Sequence, residues 1–327
     1  MTVRIAIDGM GGDHAPKAVV EGAVLAAQAF GCEVSVVGRP EALEPHLDGH
    51  RALRVVPARD VIEMGEHPAQ AVRAKKDNSM SVCARLCKAG EADAWVSAGN
   101  SGAILAAALL VQGRVSGIDR PAIGSVVPTR DGLAYFLDVG ANADCRPEWL
   151  VQFARMGAVY ADRMMGRSRP RVALLSNGEE PGKGNALVKE VEEILSGGVA
   201  GLNYVGNVEG KDVFQGAADV VVADGFVGNV AIKMAEATAE FLLRTLREEL
   251  PRSPLSAVGG LLIRGRVGRI RARIDWREFG GAPLLGIDGV AVVAHGRSDS
   301  RAIKNAVRVA KEAVEQGLVG KIKEAVA

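Results

Sequence analysis

The sequence predicts an α/β protein, doubly wound around a mostly parallel sheet in α/β/α layers, and two observations carry that prediction. A short apolar run ending in a loop of glycine with Asn, Asp or Ser, usually with a helical stretch behind it, recurs along the 327 residues. Such alternation is the mark of βαβ construction. The clearest instance is V-A-L-L-S-N-G-E-E-P-G-K-G-N from Val172 to Asn185: a buried strand over 172–175, a glycine-rich loop, and a helix through Val188, Val191 and Leu195. Open α/β sheets hold ligands in loops at the carboxyl ends of their strands. The loops are therefore expected to converge on one edge.

Residues 3–7 are β-branched and end in Asp8, followed by G-M-G-G-D-H-A-P. A helix is expected from Pro16, which suits a first turn, through Val19, Val20, Ala23 and Ala27, with a second strand over 33–37. Gly9, Gly11 and Gly12 do not spell G-x-G-x-x-G, and the second strand ends in Gly38-Arg39 without a ribose-holding acid, which argues against a dinucleotide site. His46 to His50 reads H-L-D-G-H, but Asp48 and Gly49 make it a turn rather than a helical zinc pair. Residues 70–89 are helical in pattern, with Arg73, Lys75 and Lys76 near the start. A strand over 94–97 then meets A-G-N-S-G and an Ala/Leu helix over 103–110. Around Ser101 the string is not G-x-S-x-G, so Asn100, Ser101 and Gly102 read as an anion site rather than a hydrolase elbow.

Residues 122–127 and 133–137 pair as a hairpin around 129–132, and the second strand runs into D-V-G-A-N, Asp138 to Asn142. Beyond the lysine loop, 202–205 leads into G-N-V-E-G, and 220–223 into D-G-F-V-G-N and a helix to about Leu250. Residues 287–294 run into His295-Gly296, and a C-terminal amphipathic helix carries Ile303, Val307, Val309 and Ala310.

Residues 251–281 stand apart within what reads as a single catalytic domain over 1–327, divisible into two lobes. Arg252, Arg264, Arg266, Arg269, Arg271, Arg273 and Arg277 face only Asp275 and Glu278. Ile263, Val267, Ile270 and Ile274 share one helical stripe, the pattern of an interfacial amphipathic helix. Gly259, Gly260, Gly265 and Gly268 each weaken a helix by about 1 kcal/mol. An arm packed on a partner subunit is the plainer alternative.

Composition narrows the function. Hydrophobic residues make up 48%, yet no run approaches the roughly 20 apolar residues of a spanning helix. The amino terminus enters a strand directly, so no signal peptide is expected. Four cysteines make no disulfide framework in a chain this long, and Cys83 and Cys87 lack further ligands nearby; reduced thiols and a cytoplasmic setting are expected. A net charge of +1 excludes a globally basic nucleic-acid binder.

Gly178 to Gly184 places three residues before G-K where a P-loop has four, and Gly184 stands where a magnesium-holding hydroxyl belongs. ATP hydrolysis is not expected. Glycine amides, several Asn side chains, one Lys and one His suit a small oxyanion held without a metal. Inorganic phosphate in such a site could attack an activated acyl group once positioned, with the tetrahedral oxyanion stabilised by the same donors.

M-G-G-D-H-A-P, S-A-G-N-S-G-A, L-D-V-G-A-N, G-E-E-P-G-K-G-N, G-N-V-E-G, D-G-F-V-G-N, G-G-A-P-L-L-G and A-H-G, in this order, resemble the PlsX family of bacterial phosphate acyltransferases from Ile5 to the last helix. Gly9 and Ser101 stand where that family often has Ala and Thr. The resemblance implies a fold like phosphotransacetylase and the isopropylmalate dehydrogenase group. It implies conversion of acyl-acyl-carrier protein and inorganic phosphate into acyl phosphate, which feeds a downstream membrane acyltransferase of phospholipid synthesis. It further implies a homodimer and no required metal or other cofactor.

By this analogy Lys183 holds phosphate or the developing oxyanion, and Asn229 donates a hydrogen bond at the same site. The phosphate and acyl-donor candidates are Asp8, Gly11, Gly12, Asp13 and His14; Asn100, Ser101 and Gly102; Asp138 and Asn142; Gly182, Gly184 and Asn185; Asn207 and Glu209; Asp224, Gly225 and Gly228; and His295. For His14 and His295 a structural role in ordering the loop is an equal alternative. The arm, through Ile263, Arg264, Val267, Ile270, Arg271 and Ile274, is expected at an anionic membrane surface on the cytoplasmic side. Arg73, Lys75 and Lys76 are weaker candidates for docking the acidic carrier protein. The rivals are a phosphotransacetylase using acyl-CoA, a metal-dependent hydroxyacid dehydrogenase, for which no Asp cluster is visible, and a non-catalytic membrane scaffold.

Overall fold

A computed structural model describes residues 2–47, 53–250 and 252–326, without the side chains of 254–257, 271 and 274. The H-L-D-G-H turn therefore lies partly outside the described residues, as do the side chains of Arg271 and Ile274.

One eleven-stranded sheet runs through the molecule in the order β3-β2-β1-β4-β11-β10-β5-β6-β9-β7-β8. Its strands are β1 (Arg4–Asp8), β2 (Glu33–Gly38), β3 (Arg54–Pro57), β4 (Ala94–Ser97), β5 (Ala122–Thr129), β6 (Gly132–Leu137), β7 (Arg171–Leu175), β8 (Asn203–Val208), β9 (Val220–Val222), β10 (Ala282–Leu285) and β11 (Val290–Val293). β3, β2, β1, β4 and β11 are mutually parallel, as are β6, β9, β7 and β8. Between these halves every step is antiparallel: β11 to β10, β10 to β5, and β5 to β6.

Three reversals leave the halves running in opposite directions. Register fixes this: Leu285 pairs with Ala122, and Gly124 with Leu137, so β6 ends where β5 begins. Register also brings the two sets of strand ends level: Val293, where β11 ends, pairs with Ala282, Leu284 with Ile123, and Leu137, where β6 ends, with Gly124. The loops after β1, β4 and β11 and those after β6 and β9 therefore meet from two sides at a seam within the sheet, and the expected convergence takes that form rather than one outer edge. The hairpin of β5 and β6 was expected; β10, a four-residue strand containing Pro283, was not, nor the two reversals on either side of it.

Alternate strand residues face opposite layers. Ile5, Ile7, Val96, Leu137 and Val172 pack under α1 (Lys17–Phe30), α2 (Pro40–Leu43), α6 (Pro147–Met165), α7 (Ala186–Ser196), α11 (Ser300–Glu315) and α12 (Leu318–Val326). Ala6 and Trp95 face α3 (Pro68–Ala74), α4 (Ser79–Lys88) and α5 (Ser101–Val111), while Phe136, Ala173 and Val221 face α8 (Gly210–Gln215) and α9 (Gly225–Glu249). The single helix expected over 70–89 is broken into α3 and α4, because Asn78 caps α4 by accepting from Ser81 N at 2.8 Å. Lys75 sits in the break, donating to Val61 O at 2.7 Å and paired with Glu66, so it is not a free docking cation.

The basic arm is a helix, α10 (Pro254–Ile274). At 3.6 residues per turn, Leu261 lies on the far side from Ile263 and Ile270 and Leu262 about a quarter-turn from them, yet all four are exposed. Its apolar surface is therefore broader than a single stripe. Arg273 anchors it by donating to the carbonyls of Thr129, at 2.6 Å, and Arg130.

Candidate functional site

In the first half three loops interlock. Asp8 is buried and accepts from Ser97 Oγ at 2.6 Å and Met10 N at 3.1 Å. Burial pushes its carboxyl up, with the bonds from Ser79, Ser97 and the loop amides opposing. A methyl group on Gly11 would lie 2.4 Å from Asp8 Oδ2 and 2.7 Å from Gly99 N, and Gly12 takes φ +108°. Asp13 N donates to Gly296 O at 2.7 Å, leaving the Asp13 and His14 side chains exposed. Asn100 caps α5 by accepting from Ala103 N at 3.1 Å and donates to Met64 O at 2.9 Å. Beside it Gly102 packs against Pro68.

The second half is built the same way. Buried Asp138 accepts from the amides of Ile123, Gly140, Ala141 and Asn142 at 2.8–3.1 Å and from Asn142 Nδ2 at 2.9 Å. Asp224 caps α9 through Phe226 N at 3.0 Å and Val227 N at 2.9 Å, and Gly225 N donates to Asn142 O at 2.7 Å. Asn185 caps α7 by accepting from Val188 N at 2.9 Å. Gly182 N is already given to Glu192 at 2.9 Å, while Gly184 takes φ +100°. Glu209 and Asp212 form a capping box on α8. Asn207 lies within β8, buried, with Nδ2 unpartnered.

Asp8, Asn100, Asp138, Asn142, Gly182, Asn185, Glu209 and Asp224 thus each hold a loop or a helix start, a structural role that stands beside any contact with a ligand. Short polar side chains at helix starts do this by preference.

What remains gathers around α9, which crosses the sheet face with a cavity on either flank. The smaller, about 380 Å³, runs along β5 and is lined by Ser101, Gly140, Asn229, Lys233, Glu236 and His295 together with Val127, Trp276 and Phe279. Asn229, Lys233 and Glu236 stand at i, i+4 and i+7, one face of the helix. The larger, about 810 Å³, is apolar and takes Val227, Ala231, Met234, Thr238 and Leu242 from the other flank. His295 Nδ1 accepts from Arg297 N at 3.2 Å, leaving Nε2 to carry the ring proton. Its pKa is lowered by burial first, then by Arg297 and Lys233, with Glu236 and Asp13 opposing. Among the described residues no group of three His, Cys, Asp or Glu side chains is placed to hold a metal ion.

A sequence profile described as "Fatty acid synthesis protein" matches residues 3–321. The chain belongs to this family, PlsX. It is 49% identical over 327 residues to the "Phosphate acyltransferase" of Heliobacterium modesticaldum, covering 98% of this chain and 97% of that one. It is 50% identical over 328 residues to that of Anaeromyxobacter dehalogenans, covering 99% and 90%. Among solved structures, the EutD phosphotransacetylase from Staphylococcus aureus superposes with a TM-score of 0.62 at 16% identity, over 96% of this chain and 94% of that chain. A 4-hydroxythreonine-4-phosphate dehydrogenase from Klebsiella pneumoniae gives 0.55 at 13% identity, over 96% and 100%. These two likenesses show the shared fold.

In this PlsX chain Asn229 and Lys183 line no common cavity. Gly184 and Asn185 border the larger cavity and Asn229 the smaller, while exposed Lys183 folds back against Gly178. Lys233 and Glu236 were missed in the sequence, although their spacing from Asn229 along an expected helix was a usable signal.

Proposed function

We propose that the chain forms acyl phosphate from acyl-acyl-carrier protein and inorganic phosphate, in the smaller cavity. The observation that supports this is the meeting of Asn229, Lys233, Ser101 and His295 at one apolar-walled slot. A phosphate oxygen attacks the thioester carbonyl carbon, the C–S bond breaks, and the carrier thiolate takes up a proton. Lys233 and Asn229 hold the phosphate and the tetrahedral oxyanion, where fixed donors act most strongly. Neutral His295 offers Nε2–H to the departing sulfur. Lys183, whose side chain enters no ion pair among the described residues, draws phosphate to the loop edge.

Thiol release from palmitoyl-acyl-carrier protein, with and without phosphate and in EDTA, tests the reading. Phosphate-dependent release is expected. Release that acyl-CoA supports equally would make the chain a phosphotransacetylase, and release without phosphate a thioesterase.

The same reading takes the acidic carrier and a second copy of the chain as partners. Phe226, Val230, Met234 and Phe241 make an exposed stripe on the outer side of α9 suited to a homodimer. No described helix is long and apolar enough to cross a membrane. Exposed Ile263 and Ile270 beside Arg264 and Arg266 support peripheral contact of α10 with anionic lipid at the inner face of the membrane, where the downstream acyltransferase would take the product. Failure of anionic liposomes to retain the protein at low salt would remove that element.

A further inference from the structure

The two cavities are not independent. Val127, Phe214, Ile232, Ala235 and Ala239 line both. On α9 the shared positions 232, 235 and 239 form the edge between the polar flank of Asn229 and Lys233 and the apolar flank of Val227 and Leu242, so a ligand passing beneath the helix crosses that edge. Polar reacting groups stand in the smaller cavity. The larger is walled by residues such as Leu175, Val188, Val213 and Leu242 and has the size of a ligand pocket rather than a packing defect.

We propose that the larger cavity is the channel for the acyl chain of the substrate, entered from the thioester end across this edge, and that Ala235 and Ala239 set the accepted chain length. The proposal rests on the acyl-transfer reading above. Both alanines are small at the one stretch of helix where the channel passes, so a bulky side chain there narrows the way into the far cavity. Hydrocarbon recognition by an apolar wall is graded: one methylene more or less changes preference about 10- to 200-fold.

The test uses the full-length protein and Ala235→Phe and Ala239→Phe, with folding confirmed by an unchanged denaturation midpoint. Turnover of hexanoyl- and palmitoyl-acyl-carrier protein is measured for each. The ratio of palmitoyl to hexanoyl turnover is expected to fall at least about tenfold, since only the long chain must pass the substituted positions. An unchanged ratio, or equal loss with both donors, overturns the proposal. Binding of a fluorescent polyene fatty acid is measured in parallel and needs no catalysis. Saturable binding to the wild type that either substitution weakens supports the channel even if no acyl phosphate forms from any donor, a result that would sink only the acyl-transfer reading. No binding to the wild type, as when a second copy covers the cavity, overturns the channel.

Discussion

Gly228 lies so close to Asp138 that a methyl group on it would stand 1.8 Å from the Asp138 carbonyl oxygen. This approach seats the first turn of α9 on the D-V-G-A-N loop and brings Asn229 beside Gly140. Gly228→Ala must push the helix outward, and overpacking of this kind costs roughly 1–3 kcal/mol. A lowered denaturation midpoint together with a loss of turnover is expected; wild-type values for both would show that the seat is unimportant.

Asn229→Ala and Lys233→Ala remove donors from the proposed reaction centre while leaving the helix seated. Each is expected to lower kcat by about a hundredfold, the scale of a lost oxyanion donor. Steady-state kinetics on folded variants decides it. A Lys233→Ala enzyme with normal kcat would remove that residue from the centre.

Lys183 stands apart from that centre. Lys183→Ala is expected to raise KM for phosphate about tenfold with kcat little changed, the pattern of lost ground-state binding. A hundredfold fall in kcat instead would place the reacting atoms at the glycine-lysine loop.

His295 makes stability depend on pH in a defined direction. Folded, it is held below its ordinary value of 6.5; unfolded, it protonates there. Just below pH 6.5 the unfolded chain therefore binds the extra proton, and stability rises with pH through that window. Lowering pH from about 7 to about 5.5, across the ordinary histidine range, should destabilise the wild type more than His295→Asn. Parallel urea midpoints for the two would refute this.

Asp138 organises its loop through five hydrogen bonds to its carboxylate. Removing a charged acceptor leaves buried donors unsatisfied at about 1.5–3 kcal/mol for such a bond, so Asp138→Ala is expected to lose at least about 3 kcal/mol by urea unfolding. A loss below about 1 kcal/mol would contradict the loop-building role.

The strand–loop–helix rhythm was legible because period and glycine turns are local properties, and Val172 to Asn185 folds as its residues indicate. The reversal of the sheet was not, because direction of pairing at β10 and β5 is decided between distant segments. For the site, the loops point to Asn229 and His295, which line one cavity. Asn100, Asn185, Glu209 and Asp224 read as ligands in a sequence, and their capping bonds appear only once the helices form. Lys233 belongs to no loop motif, and only its i, i+4 spacing from Asn229 on the expected helix points to it.

The antiparallel seam of β10, β5 and β6 has a thermodynamic corollary. Substrate lying along β5 would touch His295 from one half of the sheet and Asn229 from the other, acting as a clasp between them. Mass action then ties the folded population to supply: a ligand at a hundred times its Kd adds about 2.7 kcal/mol. Heat resistance of this protein would rise and fall with its substrate's concentration.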